Sequence, residues 1–157
     1  MSAGEYGAPR DVAPDDGENG LLELLSQLTK APAVEPEAFK ARVAMLNRDG
    51  DGDAHPRQLC LVVPRRSDGR IVATASVTFE YKFIRNLGVC AHIEDVVVDS
   101  SARNGGLGRV VVDACVSRAR QVAGCYKVIL DCNESNVPFY ERCGFSRKEV
   151  QMALYFE

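Results

Sequence analysis

Arg103-Asn104-Gly105-Gly106-Leu107-Gly108 stands between the apolar run Ile93 to Val98 and an amphipathic segment that begins near Val110, and its reading decides the fold. A strand that feeds a glycine-rich turn and then a helix leaves unpaired backbone N–H groups and the positive helix end aimed at one place. That arrangement suits a pyrophosphate. Side chains at the glycines would block close backbone approach. Spacing separates the phosphate-binding patterns. A P-loop needs Lys followed by Ser or Thr after its last glycine, whereas Gly108 is followed by Arg109 and Val110. A dinucleotide fingerprint needs G-x-G-x-x-G, whereas the glycines here stand at 105, 106 and 108. The pattern R-x-x-G-x-G remains, beside the plainer reading of a solvated glycine turn.

Working outward, Ala91 to Asp99 reads as a strand and Leu107 to Val122 as the main helix, apolar at 107, 110, 111, 114, 115, 119 and 122, with Gly124 closing it. Tyr126 to Cys132 follows as a strand whose Val128-Ile129-Leu130 core suits a buried position. Ser135 is expected to cap a short helix that has Pro138 in its first turn and Gly144 at its end. Phe145 to Phe156 reads as the final strand. Upstream, helical spacing covers Leu21 to Leu28 and Pro36 to Asn47. Leu59 to Val63 and Arg70 to Phe79 read as strands joined by the hairpin signal Arg66-Ser67-Asp68-Gly69. Arg48 to Pro56 reads as a loop, and its Asp-Gly alternation lacks the terminal Glu of a calcium loop. Residues 1–19 hold almost no large apolar side chain and are expected to form a mobile tail ahead of a single domain over 20–157. The order ααβββαβαβ describes an α/β chain, a mixed sheet with helices on its faces.

Bulk properties exclude several classes. The 157 residues carry a net charge of −3, with 46% hydrophobic and 26% charged residues. This is the balance of an ordinary globular protein, without the basic face of a dedicated nucleic-acid binder. No apolar run approaches the roughly 20 residues that cross a bilayer, so membrane insertion is not expected. The first 20 residues lack the basic start and apolar core of a secretory signal, so a cytoplasmic protein is expected, with import into an organelle by an unrecognised signal as the alternative. Six cysteines, at 60, 90, 115, 125, 132 and 143, form no C-x-x-C pair and read as reduced, mostly buried thiols. His55 and His92 are the only histidines, so a multi-His metal site is excluded and no metal is expected. His92 itself reads as a strand-edge imidazole satisfied by backbone.

Two groups of residues flank the loop. Glu94 and Asp95 are consecutive acids inside an apolar strand. Successive strand side chains point to opposite faces, so the two are not expected to share one role. An acid beside a cofactor cleft suits amine acylation, which needs a base near the acyl donor. On the other side, Asp131 ends a strand, Asn136 lies in the first turn of the next helix, and Tyr140 follows one turn later on the same face. The three could line one cleft. Taken singly, Tyr140 also reads as a core aromatic with Phe139, and Asn136 as a helix-start residue.

The runs HIEDVVV at 92–98, RNGGLGR at 103–109, GCYKVILDC at 124–132 and NVPFYERCGF at 136–145 together resemble the glucosamine-6-phosphate N-acetyltransferase branch of the GNAT acyltransferase superfamily. LT at 28–29, PEAF at 36–39 and YKFIRNLG at 81–88 extend the similarity over roughly residues 20–155. The resemblance implies the GNAT fold, with a mostly antiparallel central sheet. It implies transfer of acetyl from acetyl-CoA to the 2-amino group of D-glucosamine 6-phosphate, on the hexosamine route to UDP-N-acetylglucosamine. Both substrates would be bound together, with no acyl-enzyme and no metal, in a homodimer with sugar sites at the subunit interface.

The resemblance also implies roles. Arg103, Asn104, Gly105, Gly106, Leu107, Gly108 and Arg109 would hold the pyrophosphate. Val96, Val97 and Val98 would lie along the acyl donor, with the backbone N–H near Val96 as oxyanion hole where strand pairing opens. Asn136 and Phe139 join Tyr140 on the coenzyme side. Glu94, Asp95 or Asp131 would orient the amine and take its proton, and the Tyr140 phenol would meet the departing thiolate. Thr29, Lys82, Arg85, Tyr126 and Lys127 would form the sugar-phosphate site with Glu94 and Asp95. One position departs from the family pattern: Tyr155 stands where an arginine usually reaches the partner subunit's phosphate site, and a phenol brings no charge. Acetylation of another small amine or a protein lysine, or a non-catalytic acyl-CoA-binding module, are the alternatives. The charge around the acceptor site separates the first of these.

Overall fold

A computed structural model of the chain describes residues 4–48 and 57–156. Runs of β-branched residues form β2 (Gln58–Pro64) and β3 (Ile71–Tyr81), paired antiparallel from Gln58↔Thr78 to Pro64↔Ile71. Their turn is closed by Gly69 N–H on the Arg65 carbonyl and by Asp68. The Arg65 guanidinium and a backbone N–H hold the Asp68 carboxyl down at about 2. β4 (Val89–Val98) pairs antiparallel with β3, and β5 (Cys125–Leu130) pairs parallel with β4. With β1 (Arg10–Asp11) at the far side, the sheet order is β1-β2-β3-β4-β5. This is the mixed, mostly antiparallel sheet expected.

Each face is covered by helix. α4 (Leu107–Gln121) buries Leu107, Val111, Val112, Cys115 and Ala119 against Ala73, Ala75, Val77, Ala91 and Ile93. On the other face α1 (Leu21–Leu25) and α2 (Pro36–Arg48) bring Leu21, Leu24 and Val43 onto Val62, Ile71 and Val97. Each fully buried Val or Leu contributes roughly 1.5–3 kcal/mol. A single turn, α3 (Ile84–Leu87), joins β3 to β4, with Arg85, Asn86 and Leu87 at φ of 56°, 55° and 59°. Beyond Arg48 the loop expected to Pro56, with His55, lies outside the described residues.

Four expectations are corrected. The segment before residue 20 is not a free tail. Arg10 and Asp11 pair with Val62 and Leu61 of β2, and Val12 enters the second core. The fully buried Asp16 accepts both Arg10 guanidinium nitrogens at 2.7 Å and the Ala13 N–H at 2.7 Å. Ladder bonds and a bidentate charged pair order this segment, which a count of apolar side chains does not register. Phe145 to Phe156 belongs to no strand. Its period-2 pattern is strand-like, but a groove separates it from β5, and among the described residues it pairs with no strand. Consequently β5 is a sheet edge, and Val128-Ile129-Leu130 are half-buried rather than buried. Finally, Asn136, not Ser135, is the N-cap of α5 (Val137–Arg142), because a 3-10 turn, Glu134–Asn136, takes up Ser135.

Candidate active site

The site begins where two strands part. β4 and β5 stay paired from Val89↔Cys125 to Ile93↔Leu130, after which β4 runs on to Val98 beside β3 alone. One edge of Glu94 to Val98 therefore loses its ladder partner. At the same point β4 carries one residue too many: the β3–β4 register shifts between Thr74 and Ser76, and Asp95 has φ 52°. Such a bulge resets the side-chain alternation. Ala91 and Ile93 face α4 before it, Val96 and Val98 after it. Opposite sides for Glu94 and Asp95 were expected, and the bulge overturns this by placing both on one face. Asp95 accepts from Ser76 Oγ at 3.3 Å, and Glu94 Oε1 lies 3.5 Å from His92 Nδ1. A left-handed non-glycine residue costs of order 1–3 kcal/mol and persists only where its surroundings enforce it.

The glycine loop follows directly. Asp99 caps the 3-10 turn Ser100–Ala102 through Ser101 N–H at 2.9 Å, and Arg103 Nε donates to the Val98 carbonyl at 3.1 Å. Asn104 at φ 65° and Gly106 at φ 78° then swing the backbone into α4, whose N-cap, Gly106, supplies no side-chain bond. The first-turn N–H groups at Leu107, Gly108 and Arg109 are left without a cap, which is the donor set an anionic pyrophosphate requires. Arg109 points back along the helix to Asp113 at 3.3 Å. A Cβ at Gly108 would fall 3.2 Å from Phe139 Cζ, so α5 packs directly on the start of α4.

On the far side of α5 lies a groove of about 500 Å³, lined by Lys127, Asp131, Tyr140, Arg147 and Gln151 among others. The glycine loop is not in its lining, so α5 stands between loop and groove. The Tyr140 ring packs edge-on to Phe139 at 4.9 Å and to Phe145 at 6.2 Å. Burial pushes its phenol above the usual range, with Cys132 and Cys143 adding to the shift. Its hydroxyl makes no hydrogen bond among the described residues. Tyr140 is thus both a packed aromatic and a groove residue, and the two readings are compatible. Asn136 is exposed at the N-cap. Asp131 stands just beyond β5, where Oδ2 is 3.1 Å from His92 Nε2 and 2.9 Å from Gln151 Nε2. The partners of the His92 ring are therefore side chains, not the backbone expected, because the bulge and the end of β5 bring both carboxylates to the imidazole.

The basic positions are only partly gathered. Arg85 and Lys127 stand 5.8 and 5.9 Å from the centroid of the Tyr126 ring. Lys82 is paired with Glu80, and their hydrogen bond raises the ammonium and lowers the carboxyl from their ordinary values. Thr29, exposed in the turn that follows α1, and Tyr155, exposed in the C-terminal segment, have no contact with this group among the described residues. Glu80, Ser76 and Gln151 were not singled out from sequence. The first two had a signal, since Thr74, Ser76, Thr78 and Glu80 place polar groups at alternate positions of β3. Gln151 had none.

Comparison with known proteins adds the lineage. Residues 22–145 match the acetyltransferase (GNAT) family. The chain is 43% identical over 148 residues to the glucosamine 6-phosphate N-acetyltransferase of Arabidopsis thaliana, covering 94% of this chain and 95% of that protein. It is 44% identical over 153 residues to glucosamine 6-phosphate N-acetyltransferase 1 of Oryza sativa subsp. japonica, covering 98% and 89%. The crystal structure of the Arabidopsis thaliana enzyme superposes with a TM-score of 0.89 at 41% identity, over 97% of this chain and 99% of that one.

Proposed function

The chain belongs to the acetyltransferase (GNAT) family, and on that premise we propose that it transfers the acetyl group of acetyl-CoA to the 2-amino group of D-glucosamine 6-phosphate. The observation that carries the reading is the parting of β4 from β5 after Ile93↔Leu130, with an uncapped α4 on one side and Asp131 and Tyr140 on the other. The full-length match to relatives of that name supports the acceptor.

The chemistry follows from these groups. The pyrophosphate rests on the first-turn N–H groups of α4 and on the loop from Arg103 to Arg109. The bared edge of Val96 to Val98 faces the thioester, and an N–H there steadies the carbonyl oxygen as charge builds on it. The amine must be neutral to attack. As its N–C bond forms and the C–S bond breaks, its proton passes to Asp131, with Glu94 and Asp95 on the acceptor side. The departing thiolate takes a proton from Tyr140, whose raised phenol holds that proton until it is needed. The cycle closes as Asp131 releases the amine's proton to solvent and the phenolate recovers one from it. Arg85 and Lys127 offer the positive charge that a sugar phosphate needs, and the Glu80 pairing leaves Lys82 a weaker candidate.

The working unit is a homodimer. Val150, Met152, Leu154 and Phe156 recur at every second position and are 79–92% exposed, and the outer edge of β5 has no strand neighbour among the described residues. A second copy offers both the missing strand partner and cover for the apolar side chains. Tyr155 would then serve the partner's sugar site rather than its own.

Free-thiol release from acetyl-CoA, measured with glucosamine 6-phosphate, glucosamine and a lysine peptide offered separately, tests the reading. Selective turnover of the phosphorylated sugar is expected. Equal rates with and without the 6-phosphate would remove the acceptor assignment.

A further inference from the structure

Two donors converge on one oxygen of Asp131. His92 Nε2 and Gln151 Nε2 both meet Oδ2, at 3.1 and 2.9 Å, and Oδ1 has no partner among the described residues. The donors differ in how they are held. Gln151 hangs from the exposed C-terminal segment. His92 sits inside β4 with strands on both sides, opposite Thr78 of β3 and Ile129 of β5, and its side chain is only 19% exposed. Its ring has little freedom to turn. A carboxylate only accepts, so the proton between His92 and Asp131 is carried by Nε2. Nδ1 then faces Glu94 at 3.5 Å, on the face that the Asp95 bulge creates. Among the described residues no three acid, His or Cys groups are arranged to hold a metal ion, so the His92, Glu94 and Asp131 cluster is a hydrogen-bonded one.

We propose that His92 is a positioning residue of the acetyl transfer. It clamps Asp131 through Oδ2, so that Oδ1 is the atom presented to the amine and the one that receives its proton. The inference rests on the acetyl transfer proposed above and adds to it a fixed order of contacts: imidazole, then carboxylate, then amine. A rigid strand histidine suits this task better than a second acid. It supplies a donor to one carboxylate oxygen without competing for the amine. The result is a base whose orientation is set before the sugar arrives, which is where positioning contributes to rate.

The test compares His92→Phe, which removes both ring nitrogens at similar volume, with His92→Gln, which keeps an N–H donor. For His92→Phe we expect kcat with glucosamine 6-phosphate to fall roughly 10- to 100-fold, with KM for acetyl-CoA and Tm unchanged. His92→Gln should recover most of that rate. A structural role would move Tm and the acetyl-CoA KM together, and would not respond to a donor at this position. A double-mutant cycle gives an independent reading: on an Asp131→Asn background, His92→Phe should add little further loss, because it acts through Asp131. Wild-type kcat in His92→Phe, a His92→Gln variant as slow as His92→Phe, or full additivity with Asp131→Asn would each overturn the positioning role alone. A wild-type chain that releases no thiol with glucosamine 6-phosphate would overturn the reaction, and this role with it.

Discussion

Tyr140 meets two demands with one ring. Its edges against Phe139 and Phe145 hold the aromatic body, and the hydroxyl is left for the groove. Tyr140→Phe keeps the packing and removes the proton. We expect kcat to fall about 100-fold or more, the range of a general acid, with acetyl-CoA affinity retained. Steady-state kinetics together with a binding titration check this. Cys115 shows burial acting without function: desolvation lifts its thiol from 9.0 to about 12. Ellman's reagent at pH 8 should therefore label the exposed Cys132 in the native protein and spare Cys115. Because the folded-state value is the raised one, stability from this group is complete below pH 9 and declines as pH rises towards 12, where the unfolded chain releases a proton that the native core retains. Urea midpoints between pH 8 and 11 should drift downwards accordingly. At this scale sequence identified the acids near the cleft but not their facing. Alternation is a rule for regular strands, and nothing in the letters Glu94-Asp95 announces an extra residue.

Among the elements, the glycine loop and α4 were legible nearly to the residue, because each glycine answers a local need. Gly106 is the left-handed N-cap and Gly108 the point of contact with Phe139. Gly106→Ala forces a Cβ into the left-handed region, at a cost of about 1–2 kcal/mol. Differential scanning should show a lower Tm, accompanied by a raised KM for acetyl-CoA. Gly108→Val would push α5 away from α4 and carry Tyr140 with it, so kcat should fall as well as Tm. The two variants separate a loop that binds from a helix seat that aligns. The segment before residue 20 and the final strand were not legible, for opposite reasons. The first is ordered by Arg10 and Asp16, a charged pair that hydrophobic patterning cannot see. The second has the pattern of a strand but no strand partner among the described residues.

For the whole molecule, the exposed apolar side chains from Val150 to Phe156 are the observation on which the proposed dimer rests. Met152→Lys with Leu154→Lys should shift the chain towards a monomer in sedimentation velocity and raise KM for the sugar phosphate more than for acetyl-CoA. A dimer that survives both changes would show that another surface joins the copies. Composition and motif spacing could suggest a mixed sheet with helices on both faces. They could not show which edge is left open, because that depends on where α5 directs the chain after Gly144. The bulge in β4 has a corollary for insertions and deletions. Removing Asp95 would bring the strand back to an even count and restore a continuous ladder with β3. Such a chain would gain sheet regularity and lose one of the two carboxylates that the bulge sets on a single face, while Glu94 stays opposite Ser76. The length of β4 is thus as much a part of the acceptor side as any side chain on it, and a single lost codon would give a well-folded relative short of one acid there.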